Sequence, residues 1–289
     1  MYAIAGVTGH TGSIAAETLL GEGKSVRVIV RDAAKAAPWK AKGAEVAVAQ
    51  LQDQAAVQRA LAGVDGAFVL LPPNPTSTTP VEDSAKLAGA FAAAVKAANV
   101  PHVVLLSSVG AHLPRGTGPI AMLHRFEQEL AATGAGLTAV RASYFQENWG
   151  ASLGMLDQGV LPTFVKKDVR FPQVATRDIG RTIARALVEG GARGKTRVIE
   201  LGGPRAYSAE DVAKELSALT GKTITAQEGP LDAVVPTFTG FGMSKAASEL
   251  YREMYEGFNA GRITAEPGHQ LVRGTVELRD TLAALLRTT

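Results

Sequence analysis

The stretch YAIAGVTGHTGSIAAETLL, residues 2–20, joins a short apolar run to a glycine-rich turn and then to a helix. The run over residues 2–7 is typical of a strand that is buried on both faces of a sheet. Gly6, Gly9 and Gly12 form a G-x-x-G-x-x-G turn, and residues 13–20 have helical spacing of apolar side chains. This succession predicts a loop that binds the diphosphate of a dinucleotide; the alternative is a turn that only connects strand and helix.

The glycines of this loop have separate physical roles. Gly6 permits the tight turn, Gly9 lets the backbone approach the diphosphate, and Gly12 lets the helix pack close to the strand. The first N–H groups of the helix lie at the positive end of its dipole and attract an anion. We therefore expect the following residues to bind cofactor phosphates: Gly6, Thr8, Gly9, His10, Thr11 and Gly12.

Apolar runs and helical segments alternate six times in the first half of the chain. The runs are residues 2–7, 25–30, 45–49, 66–71, 102–106 and 136–141. Alternation at this spacing implies right-handed crossovers and a parallel sheet. We expect an α/β fold: a doubly wound parallel Rossmann sheet with helices on both faces and a smaller C-terminal α/β lobe. The predicted domains are an NAD(P)-binding domain at 1–150 and a substrate-binding lobe at 151–289, some of whose elements return to the sheet.

One helix has a well-marked start in the sequence. Thr79 is the predicted N-cap and Pro80 the first helical residue, and Glu82 is expected to complete a capping box. The resulting helix is predicted to extend over about residues 81–98.

The end of the second strand selects the type of dinucleotide. An acidic residue there hydrogen-bonds the 2′-hydroxyl of NAD, whereas an arginine suits the 2′-phosphate of NADP. Arg31 follows Val30 directly, and its guanidinium can bind a phosphate with two parallel N–H bonds. Lys35 adds a second positive charge, while the neighbouring Asp32 favours NAD. On balance we expect NADP, with NADPH preferred over NADH.

Composition excludes several other classes of protein. The net charge is only +3 and no run of like charges occurs, so neither nucleic acid nor a membrane surface is an expected partner. The absence of cysteine rules out disulfides and thiolate sites. No apolar stretch of membrane-spanning length and no signal sequence is recognisable, and we expect a cytoplasmic protein. The five histidines lack metal-site spacing, so no metal site is expected.

Longer segments resemble the NmrA-like family of atypical short-chain dehydrogenases/reductases. They include GVTGHTG at residues 6–12, VVLLSSVGAH at 103–112 and GLTAVRASYFQEN at 136–148, and the similarity extends over nearly the whole chain. Within the family the sequence is similar to NAD(P)H:quinone reductases and triphenylmethane reductase-like enzymes. The resemblance implies a Rossmann fold and a bound dinucleotide.

The resemblance also assigns expected contacts with the cofactor. It places His10 and Thr11 over the diphosphate and puts the nicotinamide near the end of the fifth strand. The remaining contact residues are Gln50 and Leu51 at the adenine, Leu71 and Pro72 at the adenosine ribose, Ser107, Ser108 and Val109 near the nicotinamide, and Tyr144, Phe145 and Asn148 closing the pocket beside it.

Most short-chain dehydrogenases carry a Tyr-x-x-x-Lys pair that transfers a proton, and this chain lacks it. Alignment on the helix after the fifth strand puts Pro119 and Leu123 at the two positions. His124 and Ser107 are the remaining catalytic candidates, although a packed or surface histidine is the favoured interpretation of His124. Without a proton-transferring pair, alcohol oxidation is disfavoured, and hydride transfer to an electron-poor acceptor needs less help.

Two functions remain open from the sequence. The first is an NADPH-dependent reductase of quinones or similar electrophiles, with an acceptor pocket lined by Phe145, Trp149, Phe164 and Phe238. The second is a non-catalytic redox sensor that binds the dinucleotide and acts through a protein partner. Tyr251 and Tyr255, one helical turn apart, are interpreted as core or lobe packing. A homodimer is one oligomeric state that the sequence leaves open.

Overall fold

The computed structural model describes residues 1–287 and is built around one eight-stranded parallel sheet. Its strand order is β13-β10-β6-β5-β4-β1-β2-β3, which contains the 3-2-1-4-5-6 order of dinucleotide-binding sheets. The strands of this sheet are β1 (Tyr2–Ala5), β2 (Val26–Val30), β3 (Glu45–Val48), β4 (Gly66–Leu70), β5 (His102–Ser108), β6 (Gly136–Ala142), β10 (Thr196–Gly202) and β13 (Leu271–Arg273).

Ten α-helices surround the sheet or form the C-terminal lobe in the described part of the chain. They are α1 (His10–Gly21), α2 (Ala37–Ala41), α3 (Gln54–Ala60), α4 (Pro80–Ala97), α5 (Ile120–Ala131), α6 (Thr176–Glu189), α7 (Ala209–Thr220), α8 (Val234–Gly240), α9 (Lys245–Asn259) and α10 (Leu278–Leu285). Three 3₁₀ segments cover Ala33–Lys35, Gln146–Gln158 and Leu231–Ala233. No helix within residues 1–287 combines the length and the apolar character needed to cross a bilayer.

Two apolar layers sandwich the sheet. Phe91 of α4 and Phe126 of α5 meet edge-on, with ring centroids 6.2 Å apart, in the layer that also includes α3. Leu19 of α1 and Ile179 of α6 are fully buried in the opposite layer. Side chains of a buried parallel strand alternate between the two layers, so the strands need apolar residues at nearly every position. The expected doubly wound fold is confirmed.

A third core belongs to the C-terminal half, and it holds several short strands that the sequence did not predict. These are β7 (Tyr144–Phe145), β8 (Val160–Thr163), β9 (Phe171–Val174), β11 (Ala206–Tyr207) and β12 (Thr225–Glu228). Strands β10 and β13 come from this half of the chain and extend the central sheet beyond β6. The boundary at residue 150 stays a prediction.

The predicted capping box at α4 is wrong. The helix begins at Pro80 as expected, but the Thr79 side chain makes no capping bond to the backbone. Instead, the Ser77 hydroxyl donates to the Asp83 carboxylate at 2.6 Å and accepts from the Thr79 N–H at 3.1 Å. The Ser77 hydroxyl, two residues before the N-cap, thus takes the place of the predicted pair of Thr79 and Glu82, because the loop after β4 folds back on the helix start.

Candidate functional site

The turn between β1 and α1 leaves the helix N-terminus open. Gly6 has a φ of +68°, a conformation that favours glycine, and its carbonyl accepts the Gly9 N–H at 3.0 Å. Gly9 is the N-cap and offers no side chain, so the N–H groups of His10, Thr11 and Gly12 have no acceptor within the described chain. Thr8, Gly9 and His10 are exposed. The loop can therefore accept an anion without moving a side chain out of the way.

Gly12 lies where α1 crosses closest to β1. A Cβ built on Gly12 would stand 2.4 Å from the Gly6 carbonyl oxygen and 2.8 Å from the Ala5 carbonyl oxygen. Both neighbours are backbone atoms, so only glycine fits at this position. By contrast, a Cβ on Gly9 would meet just the Gly6 oxygen, at an ordinary 3.5 Å. Gly9 is thus not required by packing within the chain.

The end of β2 presents free positive charge. Arg31 and Lys35 are exposed, and neither side chain has an ion-pair partner among residues 1–287. The Asp32 carboxylate instead accepts the Ala34 N–H at 2.9 Å and caps the 3₁₀ turn. The Asp32 carboxylate, which favoured NAD in the sequence, is thus hydrogen-bonded to the backbone of this turn. Arg31 and Lys35 remain available for a phosphate.

The remaining predicted contacts all follow carboxyl ends of parallel strands. Gln50 and Leu51 come after β3, and Leu71 and Pro72 come after β4. Ser107 and Ser108 end β5, and the Val109 N–H donates to the Ala142 carbonyl at 3.0 Å. Tyr144, Phe145 and Asn148 follow β6 in the same way. Because β1 lies between β2 and β4, the strand order reverses beside the glycine loop, where open α/β sheets bind ligands.

Ser107 lies in a buried charged network. Its hydroxyl donates to Glu127 at 2.5 Å, and Arg141 binds both oxygens of the same carboxylate, at 2.9 and 2.7 Å. Arg141 also donates to Glu200 at 3.3 Å and to Glu266 at 2.5 Å. Burial alone would lower the pKa of Arg141, but the hydrogen bonds and charge of Glu127, reinforced by Glu266 and Glu200, raise it. The network fixes the orientation of the Ser107 hydroxyl.

The sequence contains one signal for this network. Arg141 is a charged residue inside the otherwise apolar strand GLTAVRA, residues 136–142. A charge in a strand buried on both faces requires buried partners. Those partners come from α5, β10 and the loop before β13, and the sequence alone could not identify them.

Three potential ligand groups for a metal meet at the edge of this network. Atoms of Glu200, Glu266 and His269 lie within 4.8 Å of one another. The Arg141 guanidinium already hydrogen-bonds both carboxylates, so a cation at this place is supplied by the protein itself. The cluster is therefore better described as part of an ion-pair network.

Both nitrogens of the His124 ring are engaged. Nδ1 donates to the Ala111 carbonyl at 2.8 Å, and Nε2 lies 2.9 Å from the Gln128 side-chain amide. In this arrangement the ring proton is on Nδ1 and is hydrogen-bonded to the Ala111 carbonyl. His124 would have to break this hydrogen bond before it could give a proton to an acceptor. Its catalytic role stays a prediction. Pro119 is the N-cap of α5 and Leu123 lies within it, so neither supplies a proton.

The four aromatic residues expected to line an acceptor pocket lie in three different surroundings. Phe145 packs against the core that contains α1 and α6. Trp149 is buried, and its indole N–H donates to Gln173 at 2.8 Å. Phe164 and Phe238 contact each other edge-on, with centroids 6.0 Å apart. Phe164 and Phe238 contact the rings of Tyr255 and Tyr251 on α9, whereas Trp149 packs against Tyr144.

Comparison with known proteins identifies relatives over most of the chain. Residues 2–275 match the NmrA-like family. The chain is 28% identical to an NAD(P)H azoreductase of Xenophilus azovorans, over 86% of this chain and 85% of that protein. It is 30% identical to quinone oxidoreductase 2 of Escherichia coli (strain K12), over 78% and 77%. The structure of an NADPH-dependent quinone oxidoreductase from Escherichia coli, complexed with NADPH, superposes with a TM-score of 0.81 at 26% identity, covering 99% and 100% of the two chains.

Proposed function

The chain belongs to the NmrA-like family, and from that premise we propose that it transfers hydride from NADPH to a quinone or a similar electron-poor acceptor. It is an NAD(P)H-dependent reductase, as are the relatives of known activity, which act on azo compounds and quinones. The observation that supports cofactor binding most directly is the open N-terminus of α1, together with two cations after β2 that have no ion-pair partner among residues 1–287.

The residues present fit NADPH. The N–H groups of His10, Thr11 and Gly12 would bind the diphosphate, and Arg31 with Lys35 would bind the 2′-phosphate. Gln50 and Leu51 would border the adenine, Leu71 and Pro72 the ribose, and Ser108 and Val109 the nicotinamide. The bound cofactor supplies the hydride, so the protein need only orient the acceptor and exclude water.

The choice of acceptor follows from what the site lacks. Pro119 and Leu123 replace the tyrosine and lysine that would remove a proton from an alcohol. Both ring nitrogens of His124 are already hydrogen-bonded within the chain. An electron-poor acceptor needs no such base, because it takes the hydride directly and its product collects a proton from water. A quinone satisfies this requirement.

A spectrophotometric assay tests the proposal. NADPH consumption is followed near 340 nm with a panel of quinones, azo compounds and cationic dyes, and NADH is compared at equal concentration. We expect turnover of at least one quinone with NADPH and a lower kcat/KM with NADH. Consumption no faster than the uncatalysed rate with every acceptor would exclude the reductase function.

Two further expectations remain proposals. A homodimer is tested by light scattering during size-exclusion chromatography, where a mass near one chain contradicts it. Cytoplasmic localisation is tested by cell fractionation.

A further inference from the structure

Helix α9 contacts the loops that follow β4 and β5 at the carboxyl ends of these strands. At its start, the Ser244 N–H donates to the Pro75 carbonyl, at 2.8 Å, in the loop after β4. Near its middle, a Cβ on Gly118 would stand 2.0 Å from the Leu250 carbonyl oxygen, so the two backbones are in direct contact. Gly118 immediately precedes Pro119, which occupies the position of the missing tyrosine. Helix α9 therefore packs directly against the start of α5, where that position lies.

The helix presents two tyrosines to a group of aromatic rings. Tyr255 lies 5.6 Å from Phe164 and 6.2 Å from Phe238, measured between ring centroids. Tyr251, one turn earlier, lies 5.4 Å from Phe238. Both tyrosines are half-buried, so their rings are packed while part of each remains accessible.

Tyr144 approaches the same place from the sheet. It follows β6, and its ring lies 5.4 Å from Phe171 and 6.0 Å from Phe258, edge-on to each. Phe258 lies on α9 three residues after Tyr255, so the two side chains are neighbours on one face of that helix. Tyr144 thus packs against the face of α9 that carries Tyr255, although the two tyrosines are more than 100 residues apart in the sequence.

The three phenols keep their protons. Burial raises the pKa of Tyr144, the neighbouring Tyr255 raises it further, and a hydrogen bond with Asn148 only partly opposes this. Burial and the neighbouring Tyr251 raise the pKa of Tyr255 to about 12, and burial also raises that of Tyr251. Such groups donate hydrogen bonds at any physiological pH but do not give up the proton. Neutral donors in a water-poor place are suited to stabilising a developing negative oxygen.

We propose that the hydroxyl groups of Tyr144 and Tyr255 form a donor pair that binds the carbonyl oxygen of the acceptor, in the place left by the missing tyrosine of α5. This inference rests on the proposed reductase function and makes the two tyrosines catalytic residues. When a quinone gains hydride, nicotinamide is oxidised and the quinone oxygen becomes an oxyanion. The phenols stabilise that oxyanion, and water then supplies the one proton that completes the hydroquinone.

The proposal distinguishes acceptors that develop an oxyanion from those that do not. A cationic triphenylmethane dye takes hydride at its central carbon and becomes neutral, with no proton and no oxyanion. Removing a phenol oxygen should therefore slow quinone reduction and spare dye reduction. A residue that only packs the site would affect both acceptors alike.

Tyr144→Phe and Tyr255→Phe keep the rings and remove only the oxygens. We expect each to lower kcat with a quinone by about 10- to 100-fold, as for loss of one hydrogen bond to a charged group. The dye rate should change by less than about twofold on this reasoning. Tyr2→Phe, at the amino end of the central strand β1, is the matched control and should leave both rates unchanged. Equal quinone rates in wild type and both variants, or equal loss with both acceptors, would overturn the proposal.

A binding measurement keeps the test independent of turnover. Trp149 lies 5.9 Å from Tyr144, so its fluorescence reports on a quinone that quenches it. With NADP⁺ present to prevent turnover, and with Trp39→Phe removing the second indole, 1,4-naphthoquinone is titrated into each variant. We expect Kd to rise about fivefold for loss of one neutral hydrogen bond. An unchanged Kd together with an unchanged kcat contradicts the donor pair, whereas no quinone binding by the wild type contradicts the proposed function itself.

Discussion

Replacing Gly9 with alanine is expected to weaken dinucleotide binding while leaving the fold intact. The added Cβ would meet only the Gly6 carbonyl oxygen, at 3.5 Å, and Gly9 has a φ of −105° that alanine adopts without strain. Alanine is a poorer N-cap than glycine, but it also lowers the conformational entropy of the unfolded chain, and the two effects oppose each other. The free energy of unfolding should therefore change by less than about 0.5 kcal/mol. The methyl group instead occupies the approach of the diphosphate.

Two other glycines of the same helix provide matched comparisons. A Cβ on Gly12 would lie 2.4 Å from the Gly6 oxygen, and since backbone cannot yield easily, Gly12→Ala should cost about 3 kcal/mol. At roughly 2–4 °C per kcal/mol, Tm should fall by about 6–12 °C. Gly21, at the far end of α1, has no atom within 4 Å of its Cβ, so Gly21→Ala should raise stability by about 0.5 kcal/mol without affecting binding.

Thermal unfolding followed by circular dichroism gives the stabilities, and calorimetric titration with NADPH gives the affinities. Gly9→Ala should bind at least about tenfold more weakly, a loss of 1.4 kcal/mol or more, with Tm unchanged. Gly12→Ala should lose both stability and affinity, and Gly21→Ala neither. If Gly9→Ala binds NADPH as tightly as the wild type, the diphosphate does not lie on this loop and the reasoning is refuted.

Three further changes have definite expected outcomes. Arg31→Ala should raise KM for NADPH about 10-fold or more and leave KM for NADH unchanged, because only NADPH carries the 2′-phosphate; Arg59→Ala, exposed at the end of α3, is the control, and an equal effect on both cofactors would count against the assignment. Arg141→Met should lower the free energy of unfolding in urea by about 3 kcal/mol, because Glu127 and its neighbours lose their buried cation; a change under about 1 kcal/mol would contradict this. Burial, with a smaller contribution from the charge of Arg197, lowers the pKa of His102 to about 4. The unfolded chain therefore binds the proton more readily than the folded chain, and the free energy of unfolding falls as the pH drops from 6.5 towards 4. At pH 5 this loss should be about 2 kcal/mol relative to pH 7 and should disappear in His102→Asn; an equal loss in both proteins would exclude His102 as the cause.

The first half of the fold was predictable because its signals are local. Residues 2–20 contain the strand, the turn and the helix start within one stretch, and the structure places α1 at His10–Gly21. Arg31 could be identified because it directly follows an apolar strand. Each of these inferences needs only neighbours in sequence and the fixed geometry of a parallel sheet.

The rest depended on contacts between distant segments. The pairing of Arg141 with Glu200 and Glu266 joins β6 to β10 and to the loop before β13, and no periodicity reports such a partner. Strand β13 has three residues, too few to show a pattern. Tyr251 and Tyr255 have a spacing that fits core packing equally well, and only the contact of Phe258 with Tyr144 shows that α9 packs against the end of β6. Sequence reasoning thus identified the glycine loop but not the packing of Tyr144 against α9.

Calorimetric titration of the wild-type chain with NADPH and NADH tests the central claim most directly. The open amides of α1 and the free guanidinium of Arg31 predict one site per chain and a lower Kd for NADPH than for NADH. Absence of binding heat with both dinucleotides, confirmed by an unchanged Tm in their presence, would contradict the account.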